Sequence, residues 1–425
     1  MKASKYNYIV SFGEKKIFFN GITEAFFLVS PEHEESYRKI LEFPDDNKDW
    51  AESFVVKMKD SGFIIDDDTD ELDRIMAKFD MLRNKDECFL MILPTYQCNL
   101  RCWYCTQEHD NLFLNDDVIE SIKHLIERRL SDDSIKKFHL AWFGGEPLMS
   151  YDKVCDLTLF AKEYSKAHDI LFTSAITTNG TLLNAQRIEK LRSLGVNHYQ
   201  ITIDGDRMTH NSVKRLGDVS AYDRTLDNIN LIARHTSVSL RFNYTKENLK
   251  PNKIFDTLKE KLDPQVTSNI AFTIFKVWQQ NQNEINRQDV DILFKKGVET
   301  GMYSTLYSPG VCYADWYNFD CVFPNGHVGK CDNHSPDETP GILQKDGTIE
   351  WKEDMTFFYS PHLFDNVQDC CAKCRYLPLC WGPCVVKREH SLRDNGHITC
   401  KYKVPDKDMT LYIQNLCKTK LQRID

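Results

Sequence analysis

The sequence predicts an α/β protein: a partial (β/α)6 barrel of the TIM type, preceded by a small α+β unit and followed by a cysteine-rich domain held by metal. Three observations lead there. From Cys88 onward short apolar runs alternate with amphipathic helices, the pattern of a parallel sheet. Before that, two β-rich runs divided by a turn are followed by helices and a returning strand. After about residue 305 periodicity fades and turn residues interleave with cysteines. The expected boundaries are 1–84, 85–304 and 305–425.

In the first unit YNYIV and KIFF read as strands around the turn FGEK, and FFLVS continues them. Trp50, Phe54, Val55 and Met58 recur at helical spacing, with Gly62 where the helix should end. FIID returns as a strand, and Leu72, Ile75, Met76, Phe79 and Leu82 mark one face of another helix. In the barrel the strands are FLMIL, FHLAW, LFTSAIT, YQITI, SVSLRFN and IAFTIF. A helix bearing Val118, Ile122, Leu125 and Ile126 is one of those that separate them. Six units are too few to close a standard barrel, and functional groups should gather at the C-terminal strand ends.

A net charge of −9 argues against nucleic acid or an anionic membrane as partner. No apolar run reaches the length of a membrane span, and the N-terminus lacks a secretory signal, so a cytoplasmic location is expected. In a reducing compartment, clustered thiols among the 15 cysteines point to metal ligation over disulfides.

CNLRCWYC places Cys98, Cys102 and Cys105 in a C-x3-C-x2-C arrangement directly after the first barrel strand. Three thiolates hold three irons of a four-iron cube and leave the fourth open to a small molecule. A zinc site short of one ligand and three cysteines gathered by chance are the alternatives. At these residues the chain resembles the radical S-adenosylmethionine (SAM) superfamily, over about residues 88 to 300. The resemblance implies that the open iron is chelated by SAM and that Tyr104 lies against the adenine. It implies the same cofactor for GGEP, Gly144, Gly145, Glu146 and Pro147, the segment that holds the SAM amino group. Asn179 in TTNG and Asp204 in IDG resemble later motifs that approach ribose and substrate, though each also fits a plain turn. Arg241 and Asn243 alternate in phase on one strand; an inward Arg would meet the SAM carboxylate or a barrel acid.

Further on, Cys312, Gly326 and Cys331 form C-x13-G-x4-C, followed by Cys371, Cys374, Cys380 and Cys384 as C-x2-C-x5-C-x3-C, then Cys400. A zinc ribbon does not explain this run. It resembles the SPASM domain, which implies two auxiliary [4Fe-4S] clusters and so three in all. Carried over, the first uses Cys312, Cys331 and Cys384 with Cys321 as the nearby fourth candidate; the second uses Cys371, Cys374, Cys380 and Cys400, with Cys370 adjacent. Cys88, Cys155 and Cys417 are expected to be ordinary thiols. Asp332, in KCDN, resembles the general base of anaerobic sulfatase-maturating enzymes, or it caps a turn.

Such an enzyme implies an electron donor such as flavodoxin or ferredoxin, reductive cleavage of SAM and hydrogen abstraction from a substrate. The N-terminal unit resembles the winged-helix precursor-recognition domains of enzymes that modify ribosomally made peptides. That implies a precursor peptide whose leader adds to a sheet edge, and an oxidative modification such as a crosslink or thioether. The alternative is a sulfatase-type maturase making formylglycine.

Overall fold

The computed structural model describes residues 1–46, 52–107, 109–277, 279, 287–306, 311–333, 339–352, 370–400 and 406–422. The chain divides into two compact units: Met1–Asn84 with Ser308–Trp316 and Thr356–Asp425, and Lys85–Tyr307 with Tyr317–Met355. The stretch 305–425 is thus shared between them.

In the first unit β1 (Lys2–Ala3) is followed by β2 (Asn7–Phe12), β3 (Lys15–Asn20), β4 (Phe26–Val29) and β5 (Ile64–Ile65). The middle three form an antiparallel sheet in sequence order, and β1 pairs with β5. Helices span Pro31–Glu42, Glu52–Asp60 and Glu71–Leu82. The first begins with Pro31 and carries Glu32 and Glu34 in its first turn, where a fixed φ and negative charge suit a helix N-terminus. Gly62 ends the second with φ of +76°, as its position predicted. Trp50 lies outside the described residues. In the third helix Ile75 and Phe79, four residues apart, are buried, whereas Leu82 turns outward. Tyr6, Tyr8, Ile17 and Phe19 share that core with Cys371, Leu377, Trp381 and Ile413, so the C-terminal residues complete an apolar face that the N-terminal sheet would otherwise expose.

Among the described residues the second unit holds an 11-stranded sheet. The six expected strands are β6 (Glu87–Ile92), β7 (Lys137–Trp142), β8 (Leu171–Thr178), β9 (Val196–Ile203), β10 (Ser237–Tyr244) and β11 (Ile270–Lys276). They lie side by side in that order, all parallel. Two further parallel strands flank them: β12 (Tyr303–Leu306) against β11, and β13 (Asn318–Val322) against β6. Antiparallel β14 (His327–Gly329), β15 (Gly341–Leu343) and β16 (Ile349–Trp351) continue the β13 side.

Alternate strand residues explain the layering. Phe138, Leu140 and Trp142, Tyr199, Ile201 and Ile203, and Val238, Leu240 and Phe242 are buried with helix residues such as Ile122, Leu125 and Ile229. The intervening positions, among them Thr173, Thr177, His198, Gln200 and Ser239, face the other way and are only half-buried. Period-two alternation therefore gives one helix-covered apolar face and one polar face. Among the described residues no helix is long and apolar enough to cross a membrane.

His139 sits on that polar face, its ring edge-on to Phe89 at 4.8 Å and its Nδ1 2.8 Å from Thr173 Oγ1. Burial first, then neighbouring His198, holds its imidazole down to about 4. An unfolded imidazole titrates near about 6.5, so as the pH falls from there toward 4 the unfolded chain takes the proton first and stability is lost. His139→Leu should therefore lose less stability than wild type between about pH 7 and about pH 5, read from urea midpoints; equal losses would reject this.

Candidate functional site

The loop after β6 carries Cys98, Cys102 and Cys105 at the C-terminal end of its strand. The turn after β7 clamps it: Gly145 N donates to Thr95 O at 3.1 Å and Glu146 N to Gln97 O at 2.8 Å. A Cβ on Gly144 would stand 2.5 Å from Thr95 O, and one on Gly145 2.3 Å from Gln97 O. Both contacts are impossible, so only glycine fits. The close approach these glycines permit is to the loop's own backbone.

Glu146 is fully buried. Its Oε1 accepts from Thr178 Oγ1 at 2.7 Å and Leu148 N at 3.1 Å, and its Oε2 from Asn179 N at 2.8 Å. Burial raises its pKa, and these hydrogen bonds pull it back. Pro147 opens the short 3-10 turn Pro147–Ser150 that Glu146 caps. Asn179 continues the tie: its Nδ2 donates to Asn99 Oδ1 at 2.9 Å and lies 3.8 Å from Cys98 Sγ. Its Oδ1 accepts from Thr181 N at 2.9 Å.

On the other side of the loop the Tyr104 phenol donates to Asp204 Oδ1 and accepts from Asn243 Nδ2 at 3.3 Å. Burial, reinforced by Asp204, raises the phenol's pKa well above its ordinary value. Asn243 Oδ1 accepts from Arg241 Nε at 3.0 Å, so both residues share one side of β10. The Arg241 guanidinium also stacks 3.8 Å from the Phe275 ring centroid. Tyr104, Asp204, Arg241 and Asn243 thus form one hydrogen-bonded row. Sequence reasoning missed two neighbours of that row. Lys214 Nζ lies 3.3 Å from Asp204 Oδ2, and His210 Nδ1 accepts from Asp204 N at 3.2 Å. The available signal was their i, i+4 spacing just after IDG.

Burial pushes the Cys102 thiol up to about 12, and raises Cys98 as well. Thiolate ligation therefore depends on a bound metal to displace the proton. Among the described residues no group of three or more Cys, His, Asp or Glu converges on a single ion. A four-iron cube does not need that, because each thiolate binds a different iron. Three thiols on one clamped loop fit the group.

The C-terminal cysteines fall into two sets. In the first unit Cys371, Cys374, Cys380 and Cys400 act electrostatically on one another, and Cys370 Sγ lies 3.9 Å from Cys371 Sγ. Cys370 therefore belongs to the same group. Cys312 and Cys384 are in this unit too. The buried Arg388 bonds Asp315, while Asp315 N donates to Cys312 O and Arg388 N to Cys384 O, both at 2.9 Å. Cys321 and Cys331 fall in the second unit. Cys321 is fully buried in β13, and burial, then Asp332 and Cys331, raises its thiol well above the usual range. Asp332, 8% exposed, accepts at its backbone O from Gln107 Nε2 at 3.2 Å, which brings KCDN against the segment after Cys105. Cys88, Cys155 and Cys417 are buried in apolar clusters.

Residues 92–258 match the radical SAM superfamily. The chain is 31% identical over 175 residues to the Fe-coproporphyrin III synthase of Methanosarcina barkeri, covering 40% of this chain and 41% of that protein. It is 27% identical over 143 residues to the GTP 3',8-cyclase of Clostridium perfringens, covering 33% and 41%. The matched region thus spans less than half the length of either relative. The solved structure of native anSMEcpe with bound AdoMet aligns with a TM-score of 0.56 at 18% identity, over 79% of this chain and 100% of that one, a likeness of fold.

The clamp is testable without metal. Glu146→Ala leaves the Leu148, Thr178 and Asn179 donors without their acceptor, and at ~1 kcal/mol or more each should cost about 3 kcal/mol in denaturant unfolding of the metal-free protein. Glu146→Gln, keeping one acceptor oxygen, should lose less; an alanine variant of wild-type stability would contradict these bonds. The three-cysteine loop and the strand ends that hold it thus lie within residues 92–258, the stretch that matches the radical SAM superfamily.

Proposed function

We propose that this protein is a peptide maturase: an enzyme that cleaves SAM reductively and installs an oxidative modification in a ribosomally made precursor. The observation that carries the SAM-cleaving part is the gathering of the cysteine loop, Glu146, Asn179, Asp204, Arg241 and Asn243 through direct hydrogen bonds at the strand ends. Cys98, Cys102 and Cys105 would hold a [4Fe-4S] group, which together with SAM would supply the radical chemistry needed to remove hydrogen from an unactivated carbon. The chain's own residues do the placing. The glycine clamp fixes the loop, Arg241 offers a cation to the SAM carboxylate, and Asp204 with Asn243 orients Tyr104.

Two features support a peptide substrate. β4 is an edge of the N-terminal sheet, and its outer side pairs with no strand among the described residues, so a leader peptide can add there. The half-buried face of the large sheet carries hydrogen-bonding side chains such as Thr177, Gln200 and Ser239, which suit a polar chain better than a flat apolar macrocycle. In this reading residues 1–84 recognise the leader, 85–304 hold SAM, and the C-terminal cysteines would hold two auxiliary clusters able to take up the substrate's electron. Flavodoxin or ferredoxin provides the first electron.

A sulfatase-type maturase forming formylglycine is the second reading. It is favoured by Asp332, whose backbone contacts the segment after Cys105.

Reduced, oxygen-free protein reconstituted with about twelve irons per chain should release 5'-deoxyadenosine from SAM, and Cys102→Ala should abolish release. No release from fully loaded wild type rejects the enzyme reading. A short peptide encoded nearby should lose hydrogen in mass spectra after co-expression; an aldehyde on a sulfatase peptide would transfer support to the second reading.

A further inference from the structure

Lys214 belongs to none of the motifs above, yet it is 2% exposed and its ammonium has two hydrogen-bond acceptors and one ion-pair partner. It donates to Thr202 O at 2.7 Å and to Thr202 Oγ1, and it stands 3.3 Å from Asp204 Oδ2 as an ion pair. A charge this deeply buried persists only with such partners, because its desolvation is otherwise too costly. The second Asp204 oxygen accepts from Tyr104, and Tyr104 stands in the backbone between Cys102 and Cys105. A chain of contacts therefore runs from the end of helix Arg207–Val213, through the end of β9, into the Cys102–Cys105 segment of the three-cysteine loop.

We propose that Lys214 is a positioning residue for the three-cysteine loop: paired with Asp204, it holds the carboxylate that anchors Tyr104, and its charge favours the more negative, reduced form of the cluster there. The inference rests on the SAM-cleaving reading and adds to it a residue that touches neither thiol nor cofactor. Asp204 has two oxygens and two clients. Without the ammonium, the carboxylate is left buried with no cation against it and turns toward whatever donor remains. Tyr104 then loses its fixed acceptor, and the loop loses its tie to β9. The hydrogen bond from Asn243 to the phenol does not replace this tie, since it uses the phenol as acceptor and leaves its proton unheld.

The test compares Lys214→Met and Lys214→Arg with wild type. Two readouts are used: amide hydrogen exchange at 102–105 in metal-free protein, and the midpoint potential of the SAM-responsive cluster. Lys214→Met should speed exchange at 102–105 about tenfold while β11 stays protected. It should also lower the potential by about 59 mV, a tenfold shift of a one-electron equilibrium. Lys214→Arg, keeping the charge, should restore both. Wild-type exchange and potential in a folded Lys214→Met protein would overturn the proposal. So would exchange that rises equally across β9 to β11 with an unchanged potential, the mark of a side chain that only fills space. Should Lys214→Met not fold, Tyr104→Phe carries the test, because it keeps the ring and deletes the anchored phenol; wild-type exchange at 102–105 in that variant would equally overturn it. If wild type forms no 5'-deoxyadenosine, the SAM reading falls while the metal-free exchange result still stands, so the two failures are distinct.

Discussion

Everything in the second unit's site depends on one backbone-to-backbone clamp. Gly144 and Gly145 bring the turn after β7 so close to residues 95–97 that three carbonyl oxygens occupy the space a Cβ would need. The hydrogen bonds from Gly145 N and Glu146 N then fix where the cysteine loop begins. Sterics set the geometry and hydrogen bonds hold it. From that fixed start the chain needs only a few residues to reach Cys98, and Asn179 meets that thiol from the next strand.

The remainder of the loop is held from the opposite side by a different kind of contact. Tyr104 reaches Asp204 at the end of β9 and Asn243 on β10. One side of the loop is thus tied to β7 and β8 by neutral amides and a buried carboxylate, the other to β9 and β10 by an acid, a phenol and a lysine. A flexible C-x3-C-x2-C segment becomes a defined platform because four consecutive strand ends each contribute at least one contact. This is the usual advantage of a parallel sheet, whose loops after successive strands converge at one edge.

Much of this was legible in the sequence. The six central strands could be read because short, apolar-rich segments with period-two alternation recur between amphipathic helices. β12 and β13 were not, since each is only 4 or 5 residues long and NFDCV lies among turn residues and cysteines that mask its alternation. Pairing with β6 stabilises β13, and no local pattern encodes a partner more than 200 residues away. The same distinction separates the site residues. Cys98, Cys102, Cys105, Gly144 and Gly145 announce themselves by spacing. Lys214 and His210 do not, because their importance comes from Asp204 being buried beside them, which only the folded chain reveals. Glu146 was found for one reason and proves to have a further one: its carboxylate joins two strand ends before any ligand is considered. Cys370 shows the limit of spacing, which singles out Cys371 while the fold gathers both thiols.

The two glycines also bear on how this protein can change over generations. A side chain that collides with another side chain can be accommodated by shrinking the neighbour. At Gly144 and Gly145 the obstacles are the carbonyls of Thr95, Tyr96 and Gln97, which every amino acid possesses. No second mutation in that loop can make room by trimming a side chain, so these positions lack the genetic suppressors available almost everywhere else in a packed fold.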